Sequence, residues 1–599
     1  MTYDLKSWRF WSAIIFMVLA AALPVAFYLR TYDSVTAKYT IMQIGVLAAL
    51  ACWTAGSLLE ERFEIPSAAF PFLLPAAGLF FWNAARFLIA PYKIAAFPGF
   101  LTQELFLLSF MLALVALSGS YLRALVLAAA GGLAVTVLYG LAQYFGLDPF
   151  VWKGAFGDNV FSTVGNPVYL AAYLAVASPF ALMIVADRSF PAPMRGAAVL
   201  LSVLAGAVVA LTGERVELVI YLAVIAGFAG LIAARERAAG LRQVLATVAA
   251  SAAACLLALA FLAPKPSSFA SGGAQMALIR SSSLEVARNA GPAGFGPGSF
   301  WVRYPPFRSQ EQLLLHHKHN IQTDHAGNEL LEQWAEGGAI GALLWLALFA
   351  VTLYKAFTGG FSPESSGYGC GLTVSVLGGL AVSMLSLNVP RSLPAGWLLY
   401  FNAGLLAMIS ASGQKAERKI LAIPAPLGAF RFLPAGAVAA LFCLGAYFSG
   451  RLFNADMQHN LGLYYSKQGQ WGLAESAYEK EFPGSGSYVA AQYFIGNGYM
   501  DWGRTGDLER AVEQYRKVRL LAPDYVQVHY REGLALKKLG RCSEAVERME
   551  RQVRLDPVWP EAWNELSDIY KAVGEAQKAA EAAEKAKAAA ELWDNYRGS

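Results

Sequence analysis

The feature that most constrains this chain is an apolar run that keeps returning. Stretches of about 18 to 25 residues, nearly free of charge, recur through the first three quarters of the sequence. Each is long enough to cross roughly 30 Å of hydrocarbon as a helix. About thirteen can be marked, at 8–29, 39–59, 68–90, 99–118, 121–145, 163–186, 193–211, 216–234, 242–263, 334–357, 368–388, 393–411 and 430–450. Charged residues make up only 15% of the 599, where soluble domains average about 25%. A membrane protein is the class this implies. The N-terminal apolar stretch of about 20 residues is too long for a signal-peptide core and lacks a small-residue cleavage site, so a retained first span is expected. The net charge of +5 is thinly spread and no nucleic-acid motif occurs, so a nucleic-acid partner has no support and none is expected. Five widely spaced cysteines, with no CxxC pair, read as small buried hydrophobes and not as a disulfide framework.

Lysine and arginine in the short loops set an orientation. With the N-terminus in the cytoplasm, loops on that side carry 14 of them and short loops on the other side carry 6. The long loop at 264–333 then lies outside. An odd number of spans places everything after residue 450 outside as well.

Beyond 450 the pattern changes. Helical segments repeat about every 34 residues, each with a Gly at a turn and often a closing Pro, as in "REGLALKKLGRCSEAVERMERQVRLDP". These resemble tetratricopeptide repeats, whose helix pairs stack into a solenoid and usually bind proteins. The expected fold is therefore all-α. A polytopic bundle of about 12–13 spans fills 1–450, followed by an α-solenoid at 451–599.

Ionisable groups are costly within a membrane, so polar motifs that collect at one face are candidates for function. Five do so under this orientation. They are "FSTVGNPVYLAAYLA" from Phe161, "LTGERVE" from Leu211, "IRSSSLEVARNAGPAGFGPGSF" from Ile279, "HHKHNIQTDHAGNELLEQWAEGG" from His316, and "LNVPRSLPAGW" from Leu387. The fourth holds four of the chain's six histidines. Asn328 is placed to cap the helix that follows.

Together these motifs resemble the O-antigen ligase and polymerase superfamily of membrane glycosyltransferases, over roughly residues 10–410. Phe161–Leu170 is similar to that family's G-N-P-N-Y-L-A segment. Arg215 falls at the Arg of its T-x-S-R-G segment, with Glu214 replacing the Ser. Arg280, Gly294, Gly296, Gly298, Phe300 and Tyr304 match its Arg and Gly-rich loop. His325, Ala326, Asn328, Glu329, Leu331, Glu336, Gly338 and Gly341 match its H-A-H-N-E signature, except that Gly327 stands where the family has a second His.

The resemblance implies a reaction at the outer face of a bacterial inner membrane. An acceptor hydroxyl attacks the anomeric carbon of a glycan carried on polyprenyl diphosphate, and lipid diphosphate leaves. No nucleotide sugar, cofactor or metal is implied. Developing charge on the diphosphate suits the planar fork of arginine, so Arg215, Arg280 and Arg391 are the substrate-binding candidates. The hydroxyl needs a base with a pKa near neutrality, so His325, with His319 as understudy, is the catalytic candidate. Glu329 and Asn328 are expected to orient the base or the acceptor. Gly294, Gly296 and Gly298 are expected to be turn formers that let the loop pack tightly. Gly327→His is expected to be tolerated. The acceptor could be a lipid, a growing glycan or a protein recruited by the repeats. Rival readings are a metal site built from the H-H-x-H cluster and Asp324, a non-catalytic membrane scaffold, and a transporter.

Overall fold

A computed structural model describes residues 7–150, 152, 159–235, 241–262, 273–359, 361, 365–386, 393–413 and 420–597. The chain opens with α1 (Trp8–Ala22), α2 (Thr36–Leu59), α3 (Phe70–Ile89), α4 (Lys93–Ala116) and α5 (Leu122–Tyr144). It continues with α6 (Pro167–Ala186), α7 (Ala192–Leu211), α8 (Arg215–Arg235) and α9 (Leu241–Leu262). The long loop then contributes α10 (Ala274–Asn289) and the short α11 (Phe300–Arg303) and α12 (Gln310–His316). The bundle closes with α13 (Glu329–Thr358), α14 (Ser366–Leu385), α15 (Ala395–Gly413) and α16 (Phe432–Lys467). The only sheet among the described residues is a two-stranded antiparallel ribbon, β1 (Arg62–Pro66) with β2 (Ile420–Pro424).

Twelve of these helices, α2–α9 and α13–α16, are long and apolar enough to cross a membrane. Expected and observed spans agree except at the first. Helix α1 has 15 residues, about 22 Å at 1.5 Å per residue, and is shorter than the expected helix, although the chain from Arg9 at one end to Tyr32 at the other still runs the length of the bundle. Residues beyond Ala22 leave the helix because they are used elsewhere. The carbonyl of Pro24 accepts from Thr163 Oγ1 at 2.7 Å, and that of Ala26 accepts from Lys38 Nζ at 2.6 Å. Helix α6 is the centre of the bundle, apolar all round and buried over nearly its whole length, as an interior helix must be. Phe81, Leu88 and Leu74 on α3, and Phe432, Leu433 and Leu441 on α16, are exposed large hydrophobics on the outside of the bundle.

Helices α2 and α16 run antiparallel along one another. At one end β1 and β2 tie them together, with Arg9 donating to Glu64 at 2.8 Å. At the other end the backbone N–H groups of Tyr32 and Asp33 donate to Asp456 Oδ2, at 2.7 and 3.3 Å. Helix α16 does not stop at the bundle. It runs unbroken for 36 residues, so residue 450 lies inside a helix and not in a linker. Its last turns form the first helix of the repeat domain.

Four helix pairs follow the expected repeats. The end of α16 pairs with α17 (Trp471–Tyr478), α18 (Tyr488–Trp502) with α19 (Asp507–Leu521), α20 (Val528–Lys538) with α21 (Cys542–Leu555), and α22 (Pro560–Ala572) with α23 (Ala576–Arg597). The repeat domain lies against the same face of the bundle as the long loop. Val302, of the loop, and Ala95 share a buried cluster with Tyr493 and Tyr515 of the repeats. Trp301 meets Tyr525 edge-on at 6.2 Å.

The ribbon and the repeats therefore occupy opposite ends of the bundle. In a cysteine-free background, Gln322→Cys and Glu513→Cys should react with a membrane-impermeant maleimide from one side, and Ala429→Cys only from the other. Labelling of all three from the same side would show that the bundle does not cross the membrane as the helices are arranged here.

Candidate functional site

The Gly-rich loop shows why its glycines are needed. Between α10 and α11 the chain dips into the bundle wall, where Phe295 N and Gly296 N donate to the carbonyls of Ala335 and Glu336 on α13 at 2.9 and 2.8 Å. Helix α13 is kinked at Gly338 to receive them. The side chain of Glu336 completes the seat: one oxygen accepts from Phe300 N at 3.0 Å, the other from Gln103 at 2.8 Å. Gly298 has φ +76°, and a Cβ there would stand 2.0 Å from the carbonyl oxygen of Ala96. Its role is close packing, as expected from the sequence.

The end of α14 draws three of the five motifs together. Asn328 Nδ2 donates to Met384 O at 3.2 Å. Arg280 donates from a terminal nitrogen to Leu385 O at 2.5 Å and from Nε to Gly327 O at 3.0 Å. Ser386 donates to Glu217, in the first turn of α8, next to Arg215. Arg215 itself is exposed and has no partner among the described residues. The stretch from Phe161 lies beside this turn, since Val160 N donates to Leu211 O at 3.4 Å and Asn166 caps α6. The fifth motif continues from Ser386, but Arg391 lies outside the described residues.

Asn328 caps α13 as expected, its side-chain oxygen accepting from Leu331 N at 3.1 Å. The chain before the cap folds back over the helix's first turns. This brings His325 Nδ1 to 2.8 Å from Glu332 Oε1, while Ala326 N donates to Glu332 Oε2 at 3.0 Å. A carboxylate at Nδ1 holds the proton there and leaves Nε2 as the basic nitrogen. The carboxylate that contacts the His325 ring is thus Glu332, and not Glu329 as expected. Glu329, the first residue of the helix, points into the protein and accepts from Gln333 at 2.8 Å. Glu332 sits one turn later, under the folded-back strand, where it reaches both partners. The seven-residue spacing from His325 to Glu332 was visible in the sequence but acquires meaning only once the cap reverses the chain.

The four histidines part company. His319 does not share the space of His325. Its Nδ1 lies 2.9 Å from Asp556 Oδ2 of the repeat domain, and its ring is stacked between Trp559 and Trp593, at 4.9 and 4.1 Å. The role of understudy base is not open to it in this arrangement. His317 meets Trp593 edge-on at 5.2 Å. Burial, then the charges of Lys318 and Arg308, hold the pKa of His316 below its usual value. Among the described residues no three His, Cys, Asp or Glu side chains gather in a way that could hold a metal ion.

Gly327 corrects a further expectation. It has φ +64°, and a Cβ would stand 2.3 Å from Met276 Sδ. The peptide must turn left-handed here so that its carbonyl meets Arg280. A histidine in place of Gly327 would be strained by the left-handed backbone and so carries a stability cost that the motif comparison does not show.

The fold and site define a helical membrane protein with an attached helical repeat domain. No protein-family model and no curated protein matches the chain. Three solved structures of MamA proteins show a weak likeness. One (AMB-1) is 24% identical, covering 23% of this chain and 79% of that one at a TM-score of 0.21. A second is 19% identical (28% and 88%, TM-score 0.22), and a third (MSR-1) 21% identical (27% and 90%, TM-score 0.21). At such scores the repeat reading rests on the helix pairs themselves.

Two substitutions follow from the glycine geometry. Gly327→His should lower the melting temperature of the detergent-solubilised protein, at a cost of about 1 kcal/mol or more from the left-handed backbone. Gly298→Ala should cost more, because its obstacle is backbone and not a flexible side chain. Wild-type melting of both variants would contradict the loop path described.

Proposed function

We propose that the chain transfers a glycan from a polyprenyl diphosphate carrier to an acceptor hydroxyl at the outer face of a bacterial inner membrane. The observation that carries this reading is the meeting of Arg280, Asn328 and the Arg215 turn at the end of α14. Segments far apart in sequence, each resembling a ligase motif, occupy one place.

The chemistry assigns each group a task. Arg280 uses two of its five N–H donors on Leu385 and Gly327, which fixes the guanidinium plane and leaves the others for an anion. Burial lowers its pKa, but a guanidinium stays charged at neutral pH. Arg215 stands at the positive end of α8, where an anion is favoured. Diphosphate oxygens held by both would leave more readily as charge develops on them. The acceptor oxygen forms its bond to the anomeric carbon while the bond from that carbon to the diphosphate oxygen breaks with its electron pair. His325 Nε2 takes the hydroxyl proton, and Glu332 steadies the imidazolium formed. Asn328 holds the segment by capping α13 and bonding Met384 at once.

The reading is tested by purified full-length protein with a lipid-linked glycan and candidate acceptors. His325→Ala should abolish transfer, and Glu332→Gln should slow it by about tenfold to a hundredfold through loss of the tautomer and its stabilisation. Arg280→Lys and Arg215→Lys should each cost roughly 1–3 kcal/mol of transition-state stabilisation, since lysine offers a point charge and no fork. Full activity in His325→Ala with normal membrane insertion would remove the base, and inactivity of the wild type with every acceptor class would favour a non-catalytic scaffold.

A further inference from the structure

The last helix is longer than its counterparts. The second helices of the preceding two repeats, α19 and α21, have 15 and 14 residues, whereas α23 has 22. Its additional turns carry Trp593 and Tyr596. These are the residues that reach back to the long loop. Trp593 covers one face of His319 and the edge of His317, and Tyr596 lies beside His317 at 6.1 Å. Trp559 covers the other face of His319 and is itself backed by Tyr530 at 4.3 Å. Asp556 is fully buried beneath the ring it bonds. Leu313, Leu314 and Val558 close an apolar cluster around the contact, with Ile321 against it.

From His319 the hold passes to His325 through a short segment that is itself pinned. Arg308 donates to Ile321 O at 2.7 Å, and Gln312 donates to Thr323 Oγ1 at 3.1 Å. Tyr304 in turn donates to Gln312 at 2.6 Å. Residues 317–328 contain no helix or strand. Fixing each such residue costs backbone entropy, and no regular ladder of hydrogen bonds offsets it. The repeat domain supplies part of the offset, at His317 and His319.

We propose that the repeat domain is a clamp acting within its own chain: Asp556, Trp559 and Trp593 grip His319 and thereby hold the segment that presents His325. The ligand of this end of the solenoid is then the chain's own loop, and His319 is a positioning residue. The grip exists independently of any reaction; its effect on turnover rests on the transfer reading above. Because a base displaced by about 1 Å can lose up to about a hundredfold in rate, a loosened segment should lower kcat more than it changes donor affinity.

The test uses full-length protein in nanodiscs, with Asp556→Asn, Trp593→Ala and Trp593→Phe. Hydrogen exchange is the first readout, and kcat and KM for the lipid-linked glycan are the second. In Asp556→Asn and Trp593→Ala, exchange at 317–325 should rise by about tenfold or more while α18 and α19 exchange as in the wild type, since the opening is local. Turnover should fall by about tenfold with donor KM nearly unchanged, and Trp593→Phe, which keeps the stacking, should restore both. Unchanged exchange at 317–325 in both variants overturns the clamp. Raised exchange with unchanged kcat overturns the positioning role. If the wild type transfers nothing, the transfer reading fails, and exchange alone then decides whether the clamp exists.

Discussion

The last carbonyls of any helix have no partner within the helix, and in a membrane protein that debt must be met by protein. At the end of α14 it is met by two side chains from elsewhere in the chain. Met384 O accepts from Asn328 and Leu385 O from Arg280. Each donor has a second duty. Asn328 caps α13, and Arg280 fixes the left-handed turn at Gly327. One helix end therefore sets the start of another helix, the path of the chain before it, and the orientation of a guanidinium. The candidate site depends on this exchange more than on any single residue in it.

A second constraint supports the first. Arg280 lies on α10, outside the membrane bundle, and α10 must be held in register with α14. The Gly-rich loop does this by plugging into the kink of α13 under Glu336. The loop, α13 and α14 thus form one frame, and the repeat domain closes over the part of the loop that this frame leaves without regular structure.

The bundle was legible because its signal is physical and local: hydrophobic length. Twelve helices long and apolar enough to span appear where apolar runs predict them, and the four helix pairs follow the 34-residue period. The length of the first helix was overestimated, though not its path from one end of the bundle to the other, because hydropathy counts residues 23–29 as apolar and is blind to the carbonyls of Pro24 and Ala26 accepting from Thr163 and Lys38. Of the candidate residues, Arg280 and Asn328 were named from the sequence, and both bond carbonyls at the end of α14. Glu332 was missed because its partnership with His325 depends on a reversal of the chain, not on helical spacing. The role of Gly327 was misjudged for a similar reason: motif comparison asks which side chain is missing, whereas the structure asks which backbone angle is required.

The histidines show what sequence clustering can and cannot convey. Proximity in sequence suggested one shared site, but four of the chain's six histidines each bond a carboxylate in four different places. They are His319 with Asp556, His325 with Glu332, His459 with Glu481 and His529 with Asp524. An imidazole–carboxylate pair is therefore not by itself a mark of catalysis here. Exposure separates them. The side chains of His459, His529 and His319 are 0%, 6% and 14% exposed, those of buried pins, while that of His325 is 28% exposed. A base must meet a substrate that arrives from outside, so under the proposed transfer reading the least buried of the four pairs, His325 with Glu332, is the one placed to exchange a proton.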